Sequence, residues 1–434
     1  MKKLLIIFFA FFIMMEGCGG VEPDGSENNK PVVPEEVLDF NVESLGLTGE
    51  YNKIIGAQQD FSVDFFKSVA GWDTHRNVVV SPFSIMSDLA MLSCAATGAT
   101  HDELVKGLGF ADFSQEMIAR YFSTVYAKVK SDTAVVYNSA NALWVNSSLV
   151  TVKQTFADDE KLGFNVDIKY VDFVKDPVIN ITNDWISENT AGLIGRALDA
   201  GPEGSSLAFL TNALLFEGKW DIAYDGNLQS HFTNINGAVA DRDFFIGPIL
   251  SGYNIKGDNH DDPAVIDLRY KSVVGNAMHM FVILPPKNVK LPDFIQSFSA
   301  FKWRELYSKL NIVDEENAQE AFLLPKFYNT YDLPSNVCID ALRGNGISLI
   351  FGDGAEFAKM TDMRMPVSKI SQKAILQVDK SGSKAAPDTA ADKDISDMYV
   401  LDKRMKSYIE VNRPFLYMIT DSYGSIFFMG TIVR

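Results

Sequence analysis

The stretch that decides how this chain must be read runs from Ala374-Ile375-Leu376-Gln377-Val378 through DKSGSKAAPDTAADKDISDMYVLDKRMKSY (379–408) to Phe415-Leu416-Tyr417-Met418-Ile419-Thr420. Two apolar runs with strand character flank some 30 small and charged residues that have little periodic pattern. Structureless loops of that length inside a compact domain are uncommon, and are usually functional or disordered. A function built on an exposed, cleavable loop has this pattern, and so has a plain flexible insertion.

Outward from that stretch, helices and strands interleave. Ile54, Ile55, Phe61, Phe65 and Phe66 fall near helical spacing and predict a helix over 52–72. Residues 180–197 predict a second, with Trp185, Ile186, Leu193 and Ile194 on one side. Ala134–Tyr137 and Phe281–Leu284 predict strands, the latter stopped by Pro285-Pro286. The order lacks the regular alternation of a doubly wound sheet, so the fold class expected is α+β.

The N-terminus predicts export. Lys2 and Lys3 precede an apolar run from Leu4 to Met15. That run is too short for the ~30 Å of hydrocarbon a spanning helix must cross. Residues 1–17 therefore read as a signal peptide and not as an anchor. The segment ends in Met15-Glu16-Gly17-Cys18, which resembles a bacterial lipobox whose cysteine becomes the lipidated first residue; Met15 and Glu16 depart from that pattern. An ordinary cleaved signal is the alternative. Residues 18–50, polar and proline-bearing at their start, read as a lipidated cysteine and a disordered tether. The expected location is lipid-anchored at the cell surface or outer membrane, otherwise extracellular or periplasmic.

The chain has 434 residues and a net charge of −17, with no Lys/Arg-rich stretch. Nothing supplies the counter-charge that a nucleic-acid backbone requires. Beyond Cys18, only Cys94 and Cys338 remain; both sit among apolar neighbours and are expected as buried thiols, with pairing left open. The sequence holds no G-x-S-x-G, H-E-x-x-H, C-x-x-C, phosphate-loop or G-x-G-x-x-G motif. His75, His101, His231, His260 and His279 are scattered without i, i+4 pairing, so no helical metal pair exists. His279 is expected as a satisfied core histidine, and Asp158-Asp159 and Asp261-Asp262 as solvated loop carboxylates. No cofactor or metal is expected. A hydrolase triad assembled from distant positions stays conceivable, but no residue points to one.

Several segments, in order, resemble the serpin family from about residue 52 to 434. Asn77-Val78-Val79-Val80-Ser81-Pro82-Phe83-Ser84-Ile85 is similar to the family's segment beneath the main sheet, where strands part. Thr182–Gly192 is similar to the helix crossing that sheet, and Thr211-Asn212-Ala213-Leu214-Leu215-Phe216-Glu217-Gly218-Lys219-Trp220 to its tryptophan-bearing strand. Leu324-Pro325-Lys326-Phe327, Asn412-Arg413-Pro414-Phe415 and Phe428-Met429-Gly430 match later strands. The resemblance implies a serpin domain over 51–434, with helices around three β-sheets and a long exposed reactive-centre loop at about 379–408. The function it implies is that of no enzyme but of a monomeric suicide-substrate inhibitor of a serine protease, with cysteine proteases as a second target class. The family's loop is cut, its N-terminal part inserts into the main sheet, and the acylated protease is trapped.

By the same resemblance, Ser81, Pro82, Phe83, Ser84, Asn212, Trp220 and Gln372 belong to the sheet-opening region, with Gln372 in place of a usual histidine. Gly382, Ser383, Ala385, Ala386 and Pro387 form the hinge. Alternation sends Ser383, Ala385, Pro387 and Thr389 inward on insertion and Lys384, Ala386 and Asp388 outward. Pro387 lacks the N–H that a central strand donates. Counting forward from Gly382 puts the reactive bond near Ser396-Asp397; counting back from Pro414 puts it near Lys403-Arg404. The loop is about seven residues longer than usual, roughly 23 Å of slack when extended. A non-inhibitory serpin, cut as a substrate or acting as a surface binding protein, is the alternative.

Overall fold

The computed structural model describes residues 42–159, 163–384 and 405–434. After a 3-10 turn at Val42–Leu45 come α1 (Tyr51–Trp72), β1 (Val78–Val80), α2 (Pro82–Ala95), α3 (Gly98–Gly107) and α4 (Gln115–Ser131). There follow β2 (Val135–Asn146), α5 (Gln154–Asp159), β3 (Asp167–Val171), α6 (Val178–Asn189) and β4 (Ala208–Lys219). The middle is all strand: β5 (Asp225–Thr233), β6 (Val239–Pro248), β7 (Ser251–Tyr253), β8 (Ala264–Arg269) and β9 (His279–Leu284). Next are α7 (Leu291–Ser297), α8 (Ala300–Ser308), β10 (Asn311–Ile312), β11 (Glu320–Pro325), β12 (Phe327–Leu333) and α9 (Ser335–Gly344). The chain closes with β13 (Val367–Asp379), β14 (Gly382–Lys384), β15 (Ser407–Glu410), β16 (Phe415–Thr420) and β17 (Ile426–Ile432).

The strands form three sheets: six strands in the order β12-β13-β14-β4-β2-β3, seven as β1-β17-β16-β9-β8-β7-β10, and four as β15-β11-β6-β5. The fold is the expected α+β arrangement. Residues 82–95 (PFSIMSDLAMLSCA) are apolar on every side, so α2 is a central helix and nearly all of it is buried. Its start is set by Ser81, whose Oγ accepts the Ser84 N–H at 3.3 Å, and by Pro82 in the first turn. Alternation along β2, β4 and β13 divides the six-stranded sheet into two faces. Asn141 and Asn212 face α2, whereas Ala140, Ala213 and Ile375 pack with Ile186 of α6 on the other side.

Several local expectations need correction. The helix expected over 180–197 ends at Asn189: Thr190 bonds back to the Ile186 carbonyl, and Ala191 and Gly192 turn left-handed. Leu193 and Ile194 therefore lie beyond it, with Ile194 still buried. Val42 and Leu47, inside the stretch expected as tether, are buried against the core. Cys338 is buried but Cys94 only half-buried, and both are free thiols. Asp262 is no solvated carboxylate; it accepts from the Tyr253 hydroxyl at 2.6 Å and from Lys302 Nζ at 2.9 Å. His279 is part-buried with Nδ1 2.8 Å from Asp267 Oδ1.

The stretch 379–408 is also less irregular at its ends than its pattern suggests. β13 runs on to Asp379, Gly382–Lys384 form β14, and β15 begins at Ser407. Cys18, Ala385, Ala386, Pro387, Ser396, Asp397, Lys403 and Arg404 lie outside the described residues.

Candidate functional site

The seam between β4 and β13 is where the sequence-derived residues converge. Below its upper end these strands pair directly and in parallel, from Val367↔Ala208 to Ile375↔Leu215, with Gln372 opposite Asn212. Above, the seam forks. β13 turns at Lys380-Ser381, and β14 lies between the two strands, antiparallel to both. Asp379 pairs with Gly382 and Val378 with Ser383 on one side; Gly382 pairs with Lys219 and Ser383 with Gly218 on the other. Three residues thus already occupy a central strand position at one end of the sheet.

Glycine is required there. Gly382 has φ +148, and a Cβ on it would stand 2.0 Å from the Gly218 carbonyl oxygen. Ser383 follows with its side chain inward and 1% exposed, its Oγ 2.6 Å from the Tyr270 hydroxyl. Burial pushes the Tyr270 phenol well up, so it stays neutral and able to donate. Lys384 points the other way, within 3.8 Å of Asp379 Oδ2. Trp220 closes the turn: its indole N–H donates to the Asp379 carbonyl at 2.8 Å, its own amide to the Ser381 carbonyl at 3.3 Å, and its ring stacks on Tyr270 with centroids 4.5 Å apart.

Lower down, a polar cluster underlies the directly paired part. Gln372 accepts from the Ser81 N–H at 2.9 Å and donates to the Ser81 carbonyl and to Asn212 Oδ1, both at 3.0 Å. Asn212 Nδ2 in turn donates to Asp88 Oδ2 at 3.3 Å, and Asn141 Nδ2 to Ser84 Oγ at 3.2 Å. Phe83, fully buried, fixes α2 beside the cluster by stacking on Phe427 at 4.4 Å. The glutamine at 372 therefore ties β13 to α2 and to β4 at once. Buried polar groups of this kind hold a seam closed only while each keeps its partner.

The structure brings Ser81, Pro82, Phe83, Ser84, Asn212 and Gln372 together beneath the sheet, and Trp220, Gly382 and Ser383 at its upper end. Sequence reasoning missed Tyr270 and Asp88. A lone carboxylate in the apolar run of α2 was the available signal for Asp88; nothing local marks Tyr270. Among the described residues, no group of three His, Cys, Asp or Glu is placed to hold a metal, and no helix is long and apolar enough to cross a membrane.

Comparison with known proteins agrees with this arrangement. The family model described as Serpin (serine protease inhibitor) matches residues 56–434. The chain is similar to Serpin-Z1A of Triticum aestivum, 27% identical over 373 residues that cover 82% of this chain and 90% of that protein. Antitrypsin of Bombyx mori is 25% identical over 409 residues, covering 89% and 96%. Among solved structures, the thermophilic serpin tengpin in its native state superposes with a TM-score of 0.74 at 24% identity, covering 89% of this chain and 95% of that one.

Proposed function

The chain belongs to the serpin family, and from that membership we propose that it is a suicide-substrate inhibitor of a serine protease. The observation that most supports this reading is β14: the first residues after the turn already sit between β13 and β4, in the register a longer inserted strand would continue. Counting down both ladders gives the same partners. Pro387 would stand opposite Leu214 and Ala374, and Thr389 opposite Asn212 and Gln372; these are pairs that now bond directly to each other. Cleavage would free the segment to displace them, adding a full strand to the sheet and carrying an acylated protease with it.

Two candidate bonds follow from the sequence. Cleavage at Lys403-Arg404 would leave roughly 23 Å of extra tether. It would also fall close to Ser407, where the chain is held in β15 against β11. Ser396-Asp397 is therefore the bond proposed for trapping, and the basic pair a site of unproductive cleavage. We further propose that the protein is exported as a monomer and tethered to the membrane through Cys18, which metabolic labelling with an alkyne fatty acid would test against Cys18→Ser.

Incubation of the pure protein with a panel of serine and cysteine proteases should yield an SDS-stable complex with at least one of them. Cleavage by all without any complex would refute inhibition. The second reading, a non-inhibitory serpin, is favoured by Pro387. In a central strand it would leave one ladder acceptor unpaired, costing about 1–3 kcal/mol. Pro387→Ala separates the readings: if the proline is the brake, the variant gains complex formation or a higher melting temperature after loop cleavage, and no gain in either sinks that explanation.

A further inference from the structure

We propose that Asp88 holds the β4–β13 seam closed as a neutral acid and releases it on losing its proton. The residue lies on the face of α2 beneath the sheet and is 1% exposed. One carboxyl oxygen accepts from Asn212 Nδ2 at 3.3 Å; the other has no hydrogen-bond partner among the described residues. The titratable groups that face it are Tyr126 from α4, Tyr137 from β2 and Cys338 from α9, all neutral in their ordinary state. From β4 the amide of Asn212 donates to it, and no cation among the described residues contributes to its surroundings. Its partner is the residue that Gln372 grips from across the seam. The acid is thus the buried end of a chain of contacts, Asp88–Asn212–Gln372–Ser81, which must part where the strands separate.

An anion at this position would have no counter-ion and an unfilled oxygen, whereas separation of β4 from β13 above it would admit water. Burial, opposed by the Asn212 bond, accordingly holds the proton on well above the usual carboxylate range while the seam is closed. In the open state the carboxyl approaches its ordinary value of about 3.9. The closed seam therefore binds the proton more tightly, so its advantage is complete below about pH 4 and is lost as pH rises toward the closed-state value. Release of one proton raises the opening constant about tenfold per pH unit within that window.

This switch depends on the geometry of the sheet and not on the inhibitory reading, and its test uses no protease. Hydrogen–deuterium exchange of β4 and β13 peptides is followed in the full chain from pH 5 to 8, for wild type, Asp88→Asn and Asp88→Ala. Comparison at each pH cancels the chemical exchange rate. The ratio of wild-type to Asp88→Asn opening should climb about tenfold per pH unit until it levels off, while the two variants stay parallel. A ratio independent of pH overturns the proposal. Should neither variant fold, the wild-type seam referenced to exchange from the denatured chain must carry the same slope, and a flat profile there overturns it equally.

Discussion

Replacing Gln372 by leucine keeps most of the side-chain volume and removes all of its hydrogen bonding, so the contribution of the seam's central polar tie can be worked out. Three bonds are lost: those to the Ser81 N–H at 2.9 Å, and to the Ser81 carbonyl and Asn212 Oδ1 at 3.0 Å each. The Ser81 carbonyl keeps the amide of Ile85 as a donor, at 3.3 Å. The Ser81 N–H and Asn212 Oδ1 are left buried without that partner, at about 1–3 kcal/mol each. Burying the leucine side chain returns about 1–2 kcal/mol. The net loss expected is about 3 kcal/mol, on the order of a hundredfold in the opening constant of the seam. Exchange of β4 and β13 peptides should accelerate by that factor while β5 and β6, in the separate four-stranded sheet, change little. A cycle with Asn212→Ala should give a coupling of about 1 kcal/mol or more, since the two side chains share a bond. Unchanged seam exchange, or a coupling indistinguishable from zero, would refute the idea that Gln372 locks β13 to β4.

Gly382→Ala should drive β14 from its seat. Its φ of +148 and the 2.0 Å approach to the Gly218 carbonyl leave no room for a methyl group, and the backbone strain alone costs about 1–3 kcal/mol. Loss of exchange protection at Gly382–Lys384 with β16 unaffected checks this, and retained protection would count against the pairing of Gly382 with Lys219. Asp421, in the turn between β16 and β17, is pushed up to about 7 by burial, against the opposing bonds from the Tyr423 and Ser425 amides. Because the folded value lies above the unfolded one, its stabilising effect is full below about pH 4. It declines as pH rises through about 7. The melting temperature of wild type relative to Asp421→Asn should fall over that window, and a pH-independent difference would contradict it.

What was legible in the sequence was what short segments specify. The apolar spacing of residues 51–72 makes an amphipathic helix wherever it is placed, and the runs now in β9, β13 and β16 are strands by composition. Ordered motifs such as Asn77–Ile85 and Thr211–Trp220 carried the family, because each must serve both local structure and a fixed neighbour. The end of α6 at Thr190 was less legible: the apolar pattern continues past it, and the left-handed turn at Ala191 carries no strong signal when the residue is alanine.

The sequence by itself therefore determined the α+β class, the family and the residue types at the seam. Only the tertiary structure decided that Gly382–Lys384 lie between β13 and β4, that Tyr270 meets Ser383, and that Asp88 ends the chain of contacts beneath them. The reason is physical. Tyr270 is separated from Ser383 by 113 positions and Asp88 from Asn212 by 124. Whether a buried hydroxyl or carboxyl finds a partner depends on the register of strands brought together from that distance, and no local pattern encodes it.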